Sequence, residues 1–176
     1  MKNALGLLLT LLSLYGCDKA NKDDEISLTK HPYNGNELRL DGYYYEINPH
    51  TNGIGEALLL YRDGTMLLCG GSGENSDPFG YMDNLLASPD FIEHAKQHTF
   101  YWGVFQINDK SIRYERWYQG DGGLPVGRSE GNITNDTTFV INKITMLNTG
   151  NETSENTVFH FRHYAPKPDS TNQFIH

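Results

Sequence analysis

Arg113-Tyr114-Glu115-Arg116-Trp117-Tyr118 is the densest run of chemically capable side chains in this sequence. Read as a strand, it sends Arg113, Glu115 and Trp117 to one face and Tyr114, Arg116 and Tyr118 to the other. A guanidinium beside aromatic rings can stack on a planar or sugar-like ligand. Arg113, Arg116, Trp117 and Tyr118 are therefore the candidate ligand or partner contacts. The same residues also suit a sheet without any ligand, as cross-strand ion pairs and amphipathic cover, and that reading is the simpler one. The loop that follows, Gln119 to Pro125, is rich in glycine and suits a rim or lid. It is not a phosphate loop, because no lysine and no strand-to-helix context follow it.

Other constellations are weaker. His94 and His98 stand four apart on a short helix, which is metal-ligand spacing, but Glu93 precedes the first histidine where a zincin needs it to follow. His98 also falls at the helix end, where a cation is favoured by the dipole. His160 and His163 fall on opposite faces of a strand and cannot grip one ion together. No Gly-x-Ser-x-Gly is present, and no nucleophile, base and orienter can be named. The chain reads as non-enzymatic, with no catalytic residue, metal or cofactor.

The elements that must position these groups are mostly strands. Tyr43, Tyr45 and Ile47 alternate with Tyr44 and Glu46 after Asp41-Gly42. Asp63-Gly64 separates the apolar runs Ala57–Arg62 and Thr65–Cys69, a hairpin signal for a type I′ turn. Both runs are apolar on both faces, so something must cover each face. Gly70-Gly71-Ser72-Gly73 opens a flexible loop. Ser88-Pro89-Asp90 then supplies an N-cap, a first-turn proline and an acid for a helix ending near Gln97, expected to pack outside that hairpin. Further hairpins pair Phe100–Ile107 with Ser111–Tyr118, and Gly127–Thr134 with Thr137–Leu147. A last strand runs from Thr157 to Tyr164. About eight strands joined by hairpins imply an all-β, mainly antiparallel fold: an up-and-down barrel or curled sheet with one short helical insertion.

The N-terminus gives an address. Lys2, an apolar run from Ala4 to Leu14 and the small Gly16 lead to Cys17, and the run is too short to span a bilayer, which takes about 20 apolar residues. Leu14-Tyr15-Gly16-Cys17 resembles the lipobox of bacterial lipoproteins. The resemblance implies a signal peptide over 1–16, cleavage before Cys17, and acyl chains on Cys17 that hold the protein to a membrane. An ordinary secretory leader is the alternative. Residues 17–37 are polar and read as a disordered tether. Within it, Lys22-Asp23-Asp24-Glu25 is similar to the acidic export signal of Bacteroidota lipoproteins, which implies an outer-membrane lipoprotein of the cell envelope displayed at the surface; a plain solvated tether explains it equally well.

Composition narrows the partners. Of 176 residues, 22 are acidic and 14 basic, a net charge of −8 that repels phosphate backbones and argues against nucleic acid. If Cys17 is acylated, Cys69 has no disulfide partner and reads as a small buried hydrophobe.

Asp41-Gly42-Tyr43-Tyr44, Tyr101-Trp102-Gly103-Val104-Phe105 and Phe161-Arg162 resemble the framework of bacterial lipocalin-like lipoproteins. In that resemblance Gly42 and Tyr44 stand for the early Gly-x-Trp, and Arg162 for the arginine that packs on it. The barrel domain would occupy 38–165 and a polar tail 166–176, with Phe174-Ile175 able to dock back. Two functions follow as expectations. The first is a small apolar or amphipathic ligand in a hollow barrel, lined by alternate residues of the strands holding Tyr43, Tyr101 and Phe159. The second is a solid barrel that docks a protein partner through an exposed aromatic patch around Trp117.

Overall fold

The computed structural model describes residues 23–120 and 122–176. The leader, Cys17 and the first part of the expected tether lie outside the described residues. Eight antiparallel strands close into a barrel in chain order: β1 (Gly42–Ile47), β2 (Ile54–Leu60), β3 (Thr65–Cys69), β4 (Trp102–Asn108), β5 (Ser111–Trp117), β6 (Val126–Asn135), β7 (Thr138–Met146) and β8 (Glu152–His163). Closure is made by β1 against β8, from Gly42 opposite His163 to Tyr45 opposite His160. The period-two reading of the sequence is borne out. β8 begins five residues earlier than Thr157, in a stretch too polar to stand out as a strand.

Alternation splits the apolar residues into two cores. Tyr44, Leu58, Leu60, Met66, Phe105, Phe139 and Phe159 meet inside the barrel. Tyr43, Ala57, Leu59, Leu67, Cys69 and Trp102 form an outer core with Met82, Leu86 and Ala95 from two helices. The doubly apolar β2–β3 hairpin is thus covered on both faces. Two helices make the cover where one was expected: α1 (Pro78–Ala87) and α2 (Pro89–Gln97). Each starts with the same device. Asp77 accepts from Gly80 N and Ser88 from Phe91 N, with proline in the first turn of both. Cys69 is fully buried in the outer core, and burial pushes its thiol pKa up.

Turn chemistry at Asp63-Gly64 differs from expectation. Only Gly64 takes positive φ (90°), and Tyr61 N donates to Thr65 O while Gly64 N donates to Tyr61 O. The hairpin therefore carries a longer loop with glycine at its left-handed position, not a two-residue type I′ turn.

Connections 48–53, 70–101, 118–125 and 147–151 gather at one end of the barrel, which we call the mouth. The tight turns gather at the other end. There Tyr33 and Leu38 are buried against the inner core, and the Tyr44 hydroxyl sits 3.1 Å from Arg39 O and 2.9 Å from Asp136 O. That end is plugged.

Two further expectations are corrected. Residues 23–37 are not a structureless tether, because they lie along the outer wall from the mouth to the plugged end. Asp24 N donates to Leu124 O, Gln106 Nε2 to Thr29 O, and Tyr33 N to Arg62 O. The polar tail docks back through Ile175, which is buried in the outer core, and Lys167 Nζ donates to Leu40 O and Leu60 O. Arg162 does not pack on Tyr44. It faces outward, opposite Tyr43, and its Nη2 donates to Asp83 Oδ2 at 2.7 Å. Tyr44 packs on Phe161 instead, and the Arg39 guanidinium lies 4.5 Å over that ring.

Candidate functional site

The mouth of the barrel holds a cavity of about 390 Å³, within the range of small-molecule sites. Its floor is apolar: Phe159 stacks on Phe139 at 4.9 Å, and Ile141 and Ile144 of β7 stand beside it. Its walls are polar. Tyr114, Arg116 and Tyr118 come from β5 and its extension, Glu46 and Glu56 from β1 and β2, and Glu155 and Thr157 from β8. The barrel is therefore packed at one end and hollow at the other.

Among the described residues, Arg116 is the one cationic side chain other than histidine in this wall. Its side chain is 9 % exposed, its Nη2 is paired with Glu56 Oε1, and its guanidinium lies 3.8 Å over the Tyr118 ring. Its Nε–H is buried and has no acceptor among the described residues. Register explains how so large a group fits. Arg116 stands between Gly103 on β4 and Gly127 on β6, and a Cβ at Gly127 would come within 2.5 Å of Tyr118 Cε2. The β3–β4 ladder beside it has only three paired residues, the shortest in the barrel. An outer hollow of about 420 Å³, lined by Phe91, Tyr101 and Trp117, reaches Arg116 through that gap.

Among the described residues three carboxylates, Glu46, Glu56 and Glu155, line the cavity with this guanidinium. Glu46 and Glu56 are directly opposite partners across the β1–β2 ladder. Like charges so placed are destabilising. Burial raises the pKa of Glu46, and the nearby Glu56 raises it further. Glu155 accepts from the Thr157 hydroxyl at 3.3 Å. Neither Glu46 nor Glu155 has a salt-bridge partner among the described residues.

The structure divides the four residues picked out from sequence. Arg116 and Tyr118 line the inner cavity. Arg113 is on the outer wall, where it donates to Gln106 Oε1 at 2.6 and 3.1 Å. Trp117 is also outside, 7 % exposed, and its indole N–H donates to Asp24 O at 2.7 Å. Of the strands expected to line the hollow, β1 does so through Glu46 and β8 through Phe159, while Tyr43 itself faces the outer core and Tyr101 lies in a 3-10 turn outside the wall.

Glu115 is fully buried on the outer face, and sequence reasoning gave it no role. It accepts from Leu28 N (2.9 Å), Ser27 N (2.6 Å), Ser27 Oγ (2.8 Å) and Arg128 Nε (2.8 Å). Burial alone would raise its pKa; these donors outweigh it and hold the carboxyl below its usual value. Glu115 is the clasp of residues 23–37, the N-terminal strap along the outer wall. The loop 118–125 is tied to the same strap, since Asp23 Oδ1 accepts from Leu124 N and Asp24 Oδ2 from Val126 N.

The histidines of α2 are engaged locally, with His98 Nδ1 2.7 Å from His94 O. Among the described residues no three histidine, cysteine or carboxylate side chains group closely enough to hold a metal ion, and no helix is long and apolar enough to cross a membrane. No family model, curated protein or solved structure matches this chain.

Proposed function

We propose that this chain is a lipid-anchored protein of the bacterial cell envelope whose barrel binds a small amphipathic ligand at its mouth, with no chemistry of its own. The observation that carries the reading is the 390 Å³ hollow with an apolar floor and a polar rim. A barrel built only as a solid spacer has no use for it.

The strap gives the anchor a geometric meaning. Asp23 and Asp24 are bonded to the loop at the mouth, and Cys17 stands six positions before Asp23. Six residues span at most about 20 Å. Acyl chains on Cys17 would therefore keep the mouth close to the bilayer surface of an outer-membrane lipoprotein, where amphipathic molecules partition. The competing reading, partner docking through aromatics around Trp117, has less support because the strap covers that indole.

Titration with N-phenyl-1-naphthylamine, a neutral fluorescent amphipath, tests the site. Saturable 1:1 enhancement is expected, lost in Ile144→Arg, which sends a long cation into the hollow. Absence of saturable binding, or equal binding by Ile144→Arg, would sink the reading. Mass spectrometry of protein extracted from its own membranes tests the anchor, with acyl mass expected on a fragment that begins at Cys17.

A further inference from the structure

We infer that the ligand of the barrel mouth carries an uncharged, polyhydroxylated head: a sugar or polyol on an apolar body, its hydroxyls among Arg116, Glu46 and Glu155 and its body on the floor formed by Ile144 and Phe159. The inference rests on the proposed ligand-binding reading and specifies the ligand's head group.

Hydrogen-bonding groups of both kinds stand unfilled at the mouth. Arg116 supplies donors: only its Nη2 has an acceptor among the described residues, and its Nε–H is buried without one. A buried donor left without a partner is costly, so this wall calls for an acceptor. Glu46 and Glu155 supply the opposite kind. An ionised carboxylate can only accept, and among the described residues neither has a cationic partner. Each charged head therefore meets one half of the set and fails the other. An ammonium has no lone pair to offer Arg116. A carboxylate has no hydrogen to offer Glu46 or Glu155 and is repelled by both, while the positive charge of Arg116 is already committed to Glu56. A hydroxyl donates and accepts without charge. One hydroxyl has a single hydrogen and cannot serve two carboxylates. Arg116, Glu46 and Glu155 also come from three different strands, β5, β1 and β8, so the head needs several hydroxyls. A ring or chain with hydroxyls on successive carbons has that form, and a hollow of about 390 Å³ holds it above the apolar floor.

Probes with a similar alkyl body and different heads separate the possibilities. n-Octyl β-D-glucoside, n-octanol, n-octylamine and sodium octanoate are titrated calorimetrically into the folded protein at pH 7, each below its micellar concentration. The glucoside is expected to bind at least tenfold tighter than octanol and to keep that margin in 0.5 M salt. Burial of apolar surface alone would order these two the other way, since octanol is the more apolar. Arg116→Lys keeps a cation for Glu56 but lacks the Nε–H, and Glu46→Leu lacks the acceptor. Each is expected to weaken the glucoside several-fold, with a cooperative thermal melt showing that the variant is folded. Octanol binding as tightly as the glucoside, a charged probe binding tightest, or glucoside affinity unchanged in both variants overturns the inference but leaves an amphipathic site standing. Methyl β-D-glucoside binding as tightly as the octyl compound would keep the head group and overturn the amphipathic reading. No binding of any probe overturns both.

Discussion

Glu46 and Glu56 stand directly opposite one another on adjacent strands, both facing the barrel interior, and among the described residues only Glu56 has a cationic partner. Like charges placed directly opposite across a ladder are destabilising. Glu46 holds its proton more tightly in the folded state than in the unfolded chain. Its contribution to stability is therefore unfavourable above the folded pKa and fades as pH falls through the ordinary carboxylate range. Glu46→Gln is expected to stabilise the ligand-free protein by about 0.5–1 kcal/mol at pH 7. Urea denaturation at pH 7 and again near pH 4 checks it. A gain that does not shrink at the lower pH would mean that charge is not its cause.

Glu115→Ala is expected to cost about 3–5 kcal/mol, because it leaves Arg128 and two strap amides facing an emptied, buried position. The Glu115 carboxyl titrates below its unfolded value, so its stabilisation is present above the usual glutamate pKa and is lost as pH falls through the folded pKa. Glu115→Gln should flatten that acid limb. Hydrogen exchange of residues 26–34 reads the local effect. If those amides keep their protection in Glu115→Ala, the clasp lies elsewhere.

At the plugged end, the Tyr44 hydroxyl lies within hydrogen-bond distance of Arg39 O and Asp136 O, the second of which also accepts from Arg39 N. Tyr44→Phe keeps the ring packed against Phe139 and Phe161 and removes only that donor. The expected loss is about 1–3 kcal/mol by thermal or chemical denaturation, with binding at the mouth unchanged. A change in probe affinity would show that the two ends are coupled.

The barrel was legible because alternation decides which side chains meet. Leu58 and Leu59 belong to opposite cores simply by parity, and the same parity put Arg116 and Tyr118 together on one face. Parity does not say which face is the inside, so Arg113 and Trp117 could not be told from Arg116 and Tyr118 by sequence. The strap was unreadable for a different reason. Its docking depends on Glu115, whose burial arises only when Ser27 and Arg128 reach it from distant points in the chain. Glu46 had a visible signal: a carboxylate two residues beyond Tyr44 on an otherwise buried face. Helix α1 had one too, since Asp77-Pro78 repeats the capping pattern of Ser88-Pro89.

Lys167 gives a prediction at the alkaline side. Its ammonium donates to Leu40 O and Leu60 O and rests 4.5 Å over the Tyr61 ring. Burial lowers its pKa to about 8, against an unfolded value of about 10.4. Between those values the unfolded chain binds more protons, so this group makes the protein more stable as pH rises, by at most about 1.4 kcal/mol per pH unit. Burial raises the tyrosines at 43, 44, 61 and 114, and they act in the opposite direction once unfolded tyrosine ionises near pH 10. The useful window is therefore pH 8 to 9.5, and the difference from Lys167→Met cancels the groups both proteins share. Stability of the unmutated protein should climb relative to Lys167→Met across that window in paired denaturation curves. Parallel curves would mean that the two carbonyls and the Tyr61 ring hold the ammonium charged throughout, with its pKa left near the unfolded value.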